Sequence, residues 1–357
     1  MPDFSHLSLP LLLLAFAVAA GAVWIAGIQL SNTADALSSR FHLGEALGGL
    51  ILLAITTNLP EIAITATAAL HHDIGVAIGN ILGGIALQTV VLVILDLSVP
   101  GKRPLTFQAA SLVLVLEGVL VTAVLTVAMM GTQMPKSVIA FRLTPEDVFL
   151  AALWVAGLWL LNRARKDLPW QEKGDAPGGE QTSDMKARKE REEKKDKKAG
   201  TGKTIGVFLA ASAVTLAAGA VLVQSGDGIA KHLHMTGVLF GATILAAATS
   251  LPEVSTGLAS IKLGDYNLAI SDIFGGNAFL PVLFLLATAL SGQAVLPQAK
   301  NTDIYLAGLG ILLTAVYLYG LVFRPRRLLL RMGADSLIVL ILYALGVAGL
   351  FAIARAG

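Results

Sequence analysis

Apolar runs long enough to cross a bilayer recur along nearly the whole of this chain. A helix needs about 20 predominantly apolar residues to span the roughly 30 Å hydrocarbon core, at about 1.5 Å per residue. Such runs fall at residues 8–28, 43–70, 74–98, 105–130, 146–163, 204–224, 237–262, 266–290, 303–323 and 334–354. Ten of them in 357 residues, with only 14% charged side chains, exclude an ordinary soluble domain. Backbone in lipid must satisfy its own hydrogen bonds, so the expected fold class is all-α, a polytopic membrane protein with ten transmembrane helices. The first run is read as a span and not a secretory signal, because Met1 to His6 carries no Lys or Arg. The chain has no cysteine, which removes disulfides and thiolate metal sites.

Residues 164–203 interrupt the apolar pattern with a stretch reading MKARKEREEKKDKKAG from Met185 to Gly200. Such a composition buries no core and reads as a solvated linker. It divides the chain into a first five-helix unit, 1–163, and a second, 204–357. If the linker is cytoplasmic, 21 Lys and Arg fall inside against 5 outside, and the positive-inside rule is met with both termini outside. The expected location is a bacterial inner (plasma) membrane.

An offset of 192 residues lays 51–90 over 243–282 without a gap, placing ILLAITTNLPEIAI on TILAAATSLPEVST and AIGNILGGIA on AISDIFGGNA. Of 40 positions 14 are identical, which points to an internal duplication. Five spans per unit is an odd number, so the second copy enters the membrane in the opposite sense and the two five-helix repeats are inverted. In transporters built that way, the substrate site lies near the midplane and broken helices supply its ligands.

Each copy carries Leu-Pro-Glu inside an apolar run. Pro60 and Pro252 disturb the helical bonds to the carbonyls of Thr56 and Ala248, freeing acceptors that lipid cannot satisfy and a cation can. Glu61 and Glu253 follow at once, and a carboxylate deep in a span is costly unless it meets a partner or a polar interior. Beside them lie Thr56, Thr57 and Asn58 in one copy and Thr249 and Ser250 in the other; such side chains also bond back to helix carbonyls. The next run of each copy is glycine-rich, with Gly79, Asn80, Gly83 and Gly84 against Ser271, Asp272, Gly275, Gly276 and Asn277. The glycines suit close helix packing; Asn80 and Asp272, at equivalent positions, are candidate ligands. Glu117 stands alone in the fourth run, suited to a proton path or to a shielded packing role. His71, His72, His232 and His234 fall near loops and read as solvated.

ITTNLPE at 55–61 and ATSLPE at 248–253, with AIGN and the glycine pairs, resemble the alpha repeats of the sodium/calcium exchanger (calcium/cation antiporter) superfamily. The resemblance covers both halves. It implies two inverted repeats meeting at midplane, with calcium held alternately with sodium or protons. By motif position it makes Glu61 and Glu253 the principal ligands, with oxygen added by Thr57 and Thr249. The full candidate set for the transported metal is Glu61, Glu253, Thr57, Thr249, Asn58, Ser250, Asn80 and Asp272. The chain departs from the family where sodium-type ligands are expected: Gly84 and Gly276 replace serines, Gln88 and Leu280 take the further polar position, and Asp272 stands where Asn is common.

The expected function is secondary active antiport of calcium against sodium or protons by alternating access. An antiporter for another divalent cation and a passive cation channel are the alternatives. No nucleophile–base pair or His-rich metal motif supports an enzyme. No resident cofactor is expected; the expected partners are membrane lipids and the transported cations, with no nucleic acid.

Overall fold

Twelve helices can be followed in the computed structural model, which describes residue 4 and residues 7–40, 55–109, 111–136, 142–166, 168–169 and 200–356. They are α1 (Leu9–Arg40), α2 (Leu59–Leu70), α3 (Ile74–Leu97), α4 (Leu112–Gly131), α5 (Pro145–Lys166) and α6 (Thr201–His232). After α6 come α7 (237–249, with a π-helical turn at Gly241–Leu245), α8 (Leu251–Leu263), α9 (Tyr266–Phe279), α10 (Leu283–Ser291), α11 (Asn301–Phe323) and α12 (Ala334–Ala356). Eight helical spans are long and apolar enough to cross a membrane, and the α7–α8 pair, bent by 40°, makes a ninth, among the described residues. The run expected at 43–70 falls partly on residues 41–54, outside the described residues; its remainder contains α2, 12 residues long. Most of the expected linker, at 170–199, also lies outside them.

Three boundaries differ from expectation. The helices expected at 8–28 and 204–224 run on to Arg40 and His232, 32 residues each. Their buried stripes explain the extra length. Ala19, Val23, Ala26, Leu30, Thr33 and Leu37 of α1 are buried, and so are Ala211, Thr215, Ala218, Leu222, Ser225 and Ile229 of α6. The spacing is a steady three or four residues that continues past the apolar run, and one set is the other displaced by 192. At about 48 Å each these helices exceed the hydrocarbon core and must tilt or project. They pack against each other along their length.

The third difference is the span expected at 105–130, which begins only at Leu112. A separate turn, Leu105–Gln108, starts behind Pro104, and Ser111 then caps α4 by accepting from Val113 N at 3.2 Å. The Asp96 carboxylate at the end of α3 secures that turn by accepting from Leu105 N at 2.7 Å.

The most enclosed span is α3, 83% buried against 17% for α12, so it occupies the centre of the bundle. Glycine puts it there. A Cβ on Gly83 would lie 2.2 Å from Ala242 Cα, and one on Gly79 2.9 Å from Val238 Cα, so α3 meets α7 backbone to backbone. The one β element among the described residues is a two-residue ladder, Leu328–Leu329 with Met332–Gly333, between α11 and α12.

Candidate functional site

Pro60 and Pro252 stand in the first turns of α2 and α8, where a missing N–H is tolerated, with Asn58 and Ser250 as the residues at the breaks. Glu61 and Glu253 therefore sit at the N-terminal ends of two helices, whose dipoles and free amides favour negative charge. Both are almost wholly buried, at 0% and 1% exposure. Gln88 of α3 lies between them: its Nε2 donates to Glu61 Oε1 at 3.3 Å and to Glu253 Oε1 at 3.4 Å. One amide from the central helix thus joins the carboxylates of the two halves. Gln88 Oε1 and the second oxygen of each glutamate make no hydrogen bond among the described residues, leaving acceptor capacity directed into a buried space.

Several neutral side chains at the two breaks already hold hydrogen bonds. Thr249 and Ser250 donate to the Ala246 carbonyl at 3.2 and 2.8 Å, keeping their oxygen lone pairs available. The Thr249 side chain also lies beside the Glu61 carboxylate. Thr57 and Asn58 are buried side by side, with Asn58 Nδ2 3.5 Å from Thr57 Oγ1. Asn58 fills the space over Gly276, where an added Cβ would come within 3.1 Å of Nδ2 and 3.6 Å of Gln88 Oε1. A serine at 276 would require the Asn58 amide to shift by a few tenths of an ångström.

Asn80 and Asp272 are equivalent in sequence and unlike in setting. Asp272 accepts from Thr256 Oγ1 at 2.6 Å, one turn beyond Glu253 on α8. Asn80 lies at the α3–α7 contact, its backbone nitrogen 3.0 Å from where a Gly241 Cβ would be, and its side chain has no hydrogen-bond partner among the described residues. Asp272 is thus tied to α8, the helix that carries Glu253, and Asn80 is not joined to the glutamates by any hydrogen bond described. Among the described residues no three His, Asp or Glu side chains are grouped to hold a metal ion, so the acidic charge at the site centres on the glutamate pair.

Three polar partners are not marked by sequence. Gln88 stands there only as a departure from a ligand pattern, and Thr256 and Thr89, which accepts from Asn277 Nδ2 at 3.2 Å, carry no signal of their own. Glu117, itself buried, pairs with a partly exposed arginine: Arg165 Nη2 and Ser271 Oγ each approach its Oε1 at 2.9 Å. His71, His72, His232 and His234 are exposed.

The sequence profile of the sodium/calcium exchanger protein family matches residues 11–161 and 203–352. The chain belongs to that family. Among curated relatives of this exchanger-family protein, inner membrane protein YrbG of Escherichia coli (strain K12) is 26% identical over 279 residues, covering 77% of the chain and 78% of the relative. Putative antiporter CaxA of Alkalimonas amylolytica is 26% identical over 292 residues, 80% of the chain and 83% of the relative. The crystal structure of the H+/Ca2+ exchanger CAX aligns with a TM-score of 0.66 at 13% identity, covering 97% of this chain and 87% of that one. The sodium-calcium exchanger NCX_Mj aligns with a TM-score of 0.60 at 16% identity, covering 96% and 99%. At such identities the structural likeness speaks for the fold.

Proposed function

We propose that this exchanger-family protein is a secondary active antiporter that moves calcium against a monovalent counter-ion, with the Glu61–Gln88–Glu253 bridge as the place where the two ions compete. The observation that carries this reading is the bridge itself: two buried carboxylates from different halves, held by a single amide on the central helix. Calcium takes six to eight oxygen ligands, and the glutamates, with Gln88, Thr57, Thr249, Asn58 and Ser250, offer a set of that kind. Asp272 supplies further negative charge near Glu253, and Asn80 is the candidate without a hydrogen-bond partner among the described residues.

In this reading the apolar run through 43–70 completes ten spans, arranged as two inverted repeats, 1–163 and 204–357, on either side of a cytoplasmic linker in a bacterial inner membrane. The matched buried stripes of α1 and α6 support the duplication. Alternating access then follows from charge. Uncompensated carboxylates are costly in low dielectric, so reorientation is favoured when one divalent ion or neutralising monovalent charges occupy the site, and leak is limited.

Protons are favoured over sodium as the counter-ion by the packing around the site. Gly276 is crowded by Asn58, and Leu280 is apolar, so two positions that would add neutral or acidic oxygens add none. The deciding experiment is uptake of labelled calcium into proteoliposomes under an imposed proton or sodium gradient. Uptake that follows the proton gradient is expected. Uptake without any imposed gradient dependence points to a passive channel and overturns the reading.

A further inference from the structure

We infer that the hairpin between α11 and α12 is a docking surface for anionic phospholipid headgroups, independent of which ions the protein moves. The chain leaves α11 at Phe323, pairs Leu328–Leu329 with Met332–Gly333, and enters α12 at Ala334. Leu330 and Arg331 form the two-residue turn, with φ of 51° and 69°. Left-handed backbone at both positions is what such a turn requires, and Asn-Gly supplies it without strain; leucine and arginine do not. The strained pair holds its side chains out: Leu330 is 77% exposed, and Arg331 is exposed beside it.

The surroundings repeat this combination of apolar and cationic groups. Phe323 is 77% exposed and Leu329 is 49% exposed, while Arg327 is also exposed. The facing loop brings exposed Lys102 and Arg103, and Arg103 and Arg324 both lie over the Phe107 ring, at 4.6 and 4.7 Å from its centroid. Neither segment, 98–108 nor 322–334, contains a single Asp or Glu. The carboxylates that flank these segments in sequence, Asp96 and Asp335, are 2% and 5% exposed, and Asp96 is occupied by Leu105 N and Gly333 N. The patch is therefore cationic with no acidic side chain of its own at the surface.

Its position selects the occupant. The hairpin joins two spans, so it sits at the level where a bilayer passes from acyl chain to phosphate. There exposed leucine and phenylalanine meet the acyl chains, and guanidinium groups meet phosphate oxygens with charge-assisted hydrogen bonds. A free anion has no use for the apolar fringe. A neutral lipid has no use for the cations. The Asp96–Gly333 bond at 2.6 Å ties the hairpin to the end of α3, the helix that carries Gln88, so the lipid contact is anchored to the central element of the bundle.

The test places the full-length protein in nanodiscs of equal phosphatidylglycerol and phosphatidylcholine, releases it, and identifies the retained lipid by native mass spectrometry. Wild type is expected to retain phosphatidylglycerol in clear excess. The R327Q/R331Q double variant is expected to lose about five-fold of that preference per charge removed. Lys136→Gln, in the loop after α4 at the other end of that span, should change nothing. Equal preference in wild type and R327Q/R331Q overturns the inference. Should that variant fail to fold, K102Q/R103Q reads the same surface, a loss of preference supporting the inference and an unchanged one overturning it. Displacement of the retained lipid by inorganic phosphate alone assigns the patch to a free anion and also overturns it.

Discussion

Gly83 and Gly275 hold the same position in the two copies, yet a Cβ on Gly83 would strike the Ala242 backbone at 2.2 Å, whereas one on Gly275 would meet nothing within 4 Å. The next pair reverses the contrast: Gly84 has only a Leu280 methyl at 3.6 Å, and Gly276 is crowded by Asn58. The same divergence runs through the polar residues, with Gln88 bridging both glutamates where its counterpart Leu280 is apolar, and Asp272 engaged by Thr256 where the Asn80 side chain has no hydrogen-bond partner among the described residues. The two aligned segments share the helix breaks and the glutamates. Around them they differ, with α3 the central post and α9 carrying an additional acid.

The glutamates are where the halves should behave alike. Glu61→Gln and Glu253→Gln are each expected to reduce calcium exchange in proteoliposomes by about 100-fold or more, in line with loss of about 3 kcal/mol of ligand energy. A rate above a tenth of wild type in only one variant would break the symmetry and leave one glutamate structural. The glycines are where they should differ. Gly83→Ala is expected to destabilise the protein by about 1–3 kcal/mol, since the obstacle is backbone and not a movable side chain. Gly275→Ala is expected to be neutral or to stabilise by about 0.5–1 kcal/mol through reduced backbone freedom. Thermal unfolding of both in one detergent separates them.

A smaller effect is expected at the bridge. Gln88→Leu, which makes α3 resemble α9, should weaken apparent calcium affinity by about 10-fold, or about 1.4 kcal/mol, while Leu280→Gln should change it by less than about two-fold. Similar losses in both would show that the bridge is not the privileged contact. Asp272→Asn is expected to alter calcium affinity by only about two- to three-fold while weakening the dependence of uptake on the proton gradient. Unchanged gradient dependence would confine Asp272 to an electrostatic supporting role.

The helix breaks and the glutamates are legible in the sequence because proline and a buried carboxylate in an apolar run have few physical explanations. The lengths of α1 and α6 are not, since hydropathy falls at Gln29 and Gln224 while the buried stripe continues through Leu37 and Ile229. Ser111 is a cap that sequence can offer, but an uninterrupted apolar run from Leu112 overshadows the turn at Leu105–Gln108. Gln88 shows the deeper limit. As one side chain in a duplicated motif it resembles an unmatched remnant, and only the convergence of three helices makes it the shared donor. Asn80 and Asp272 illustrate the same point in reverse, being equivalent in register and different in neighbours.

The long helices touch the breaks in a crosswise manner. A Cβ on Gly27 of α1 would lie 2.7 Å from the Pro252 ring, and one on Gly219 of α6, 192 residues later, 2.7 Å from Ala63 and 3.4 Å from the Pro60 carbonyl. Each half therefore rests a bare stretch of helix on the other half's break. On the glycine side of each contact only a hydrogen stands between the helix and its neighbour, as a flat meets a stop. A side chain added at either glycine would act as a wedge.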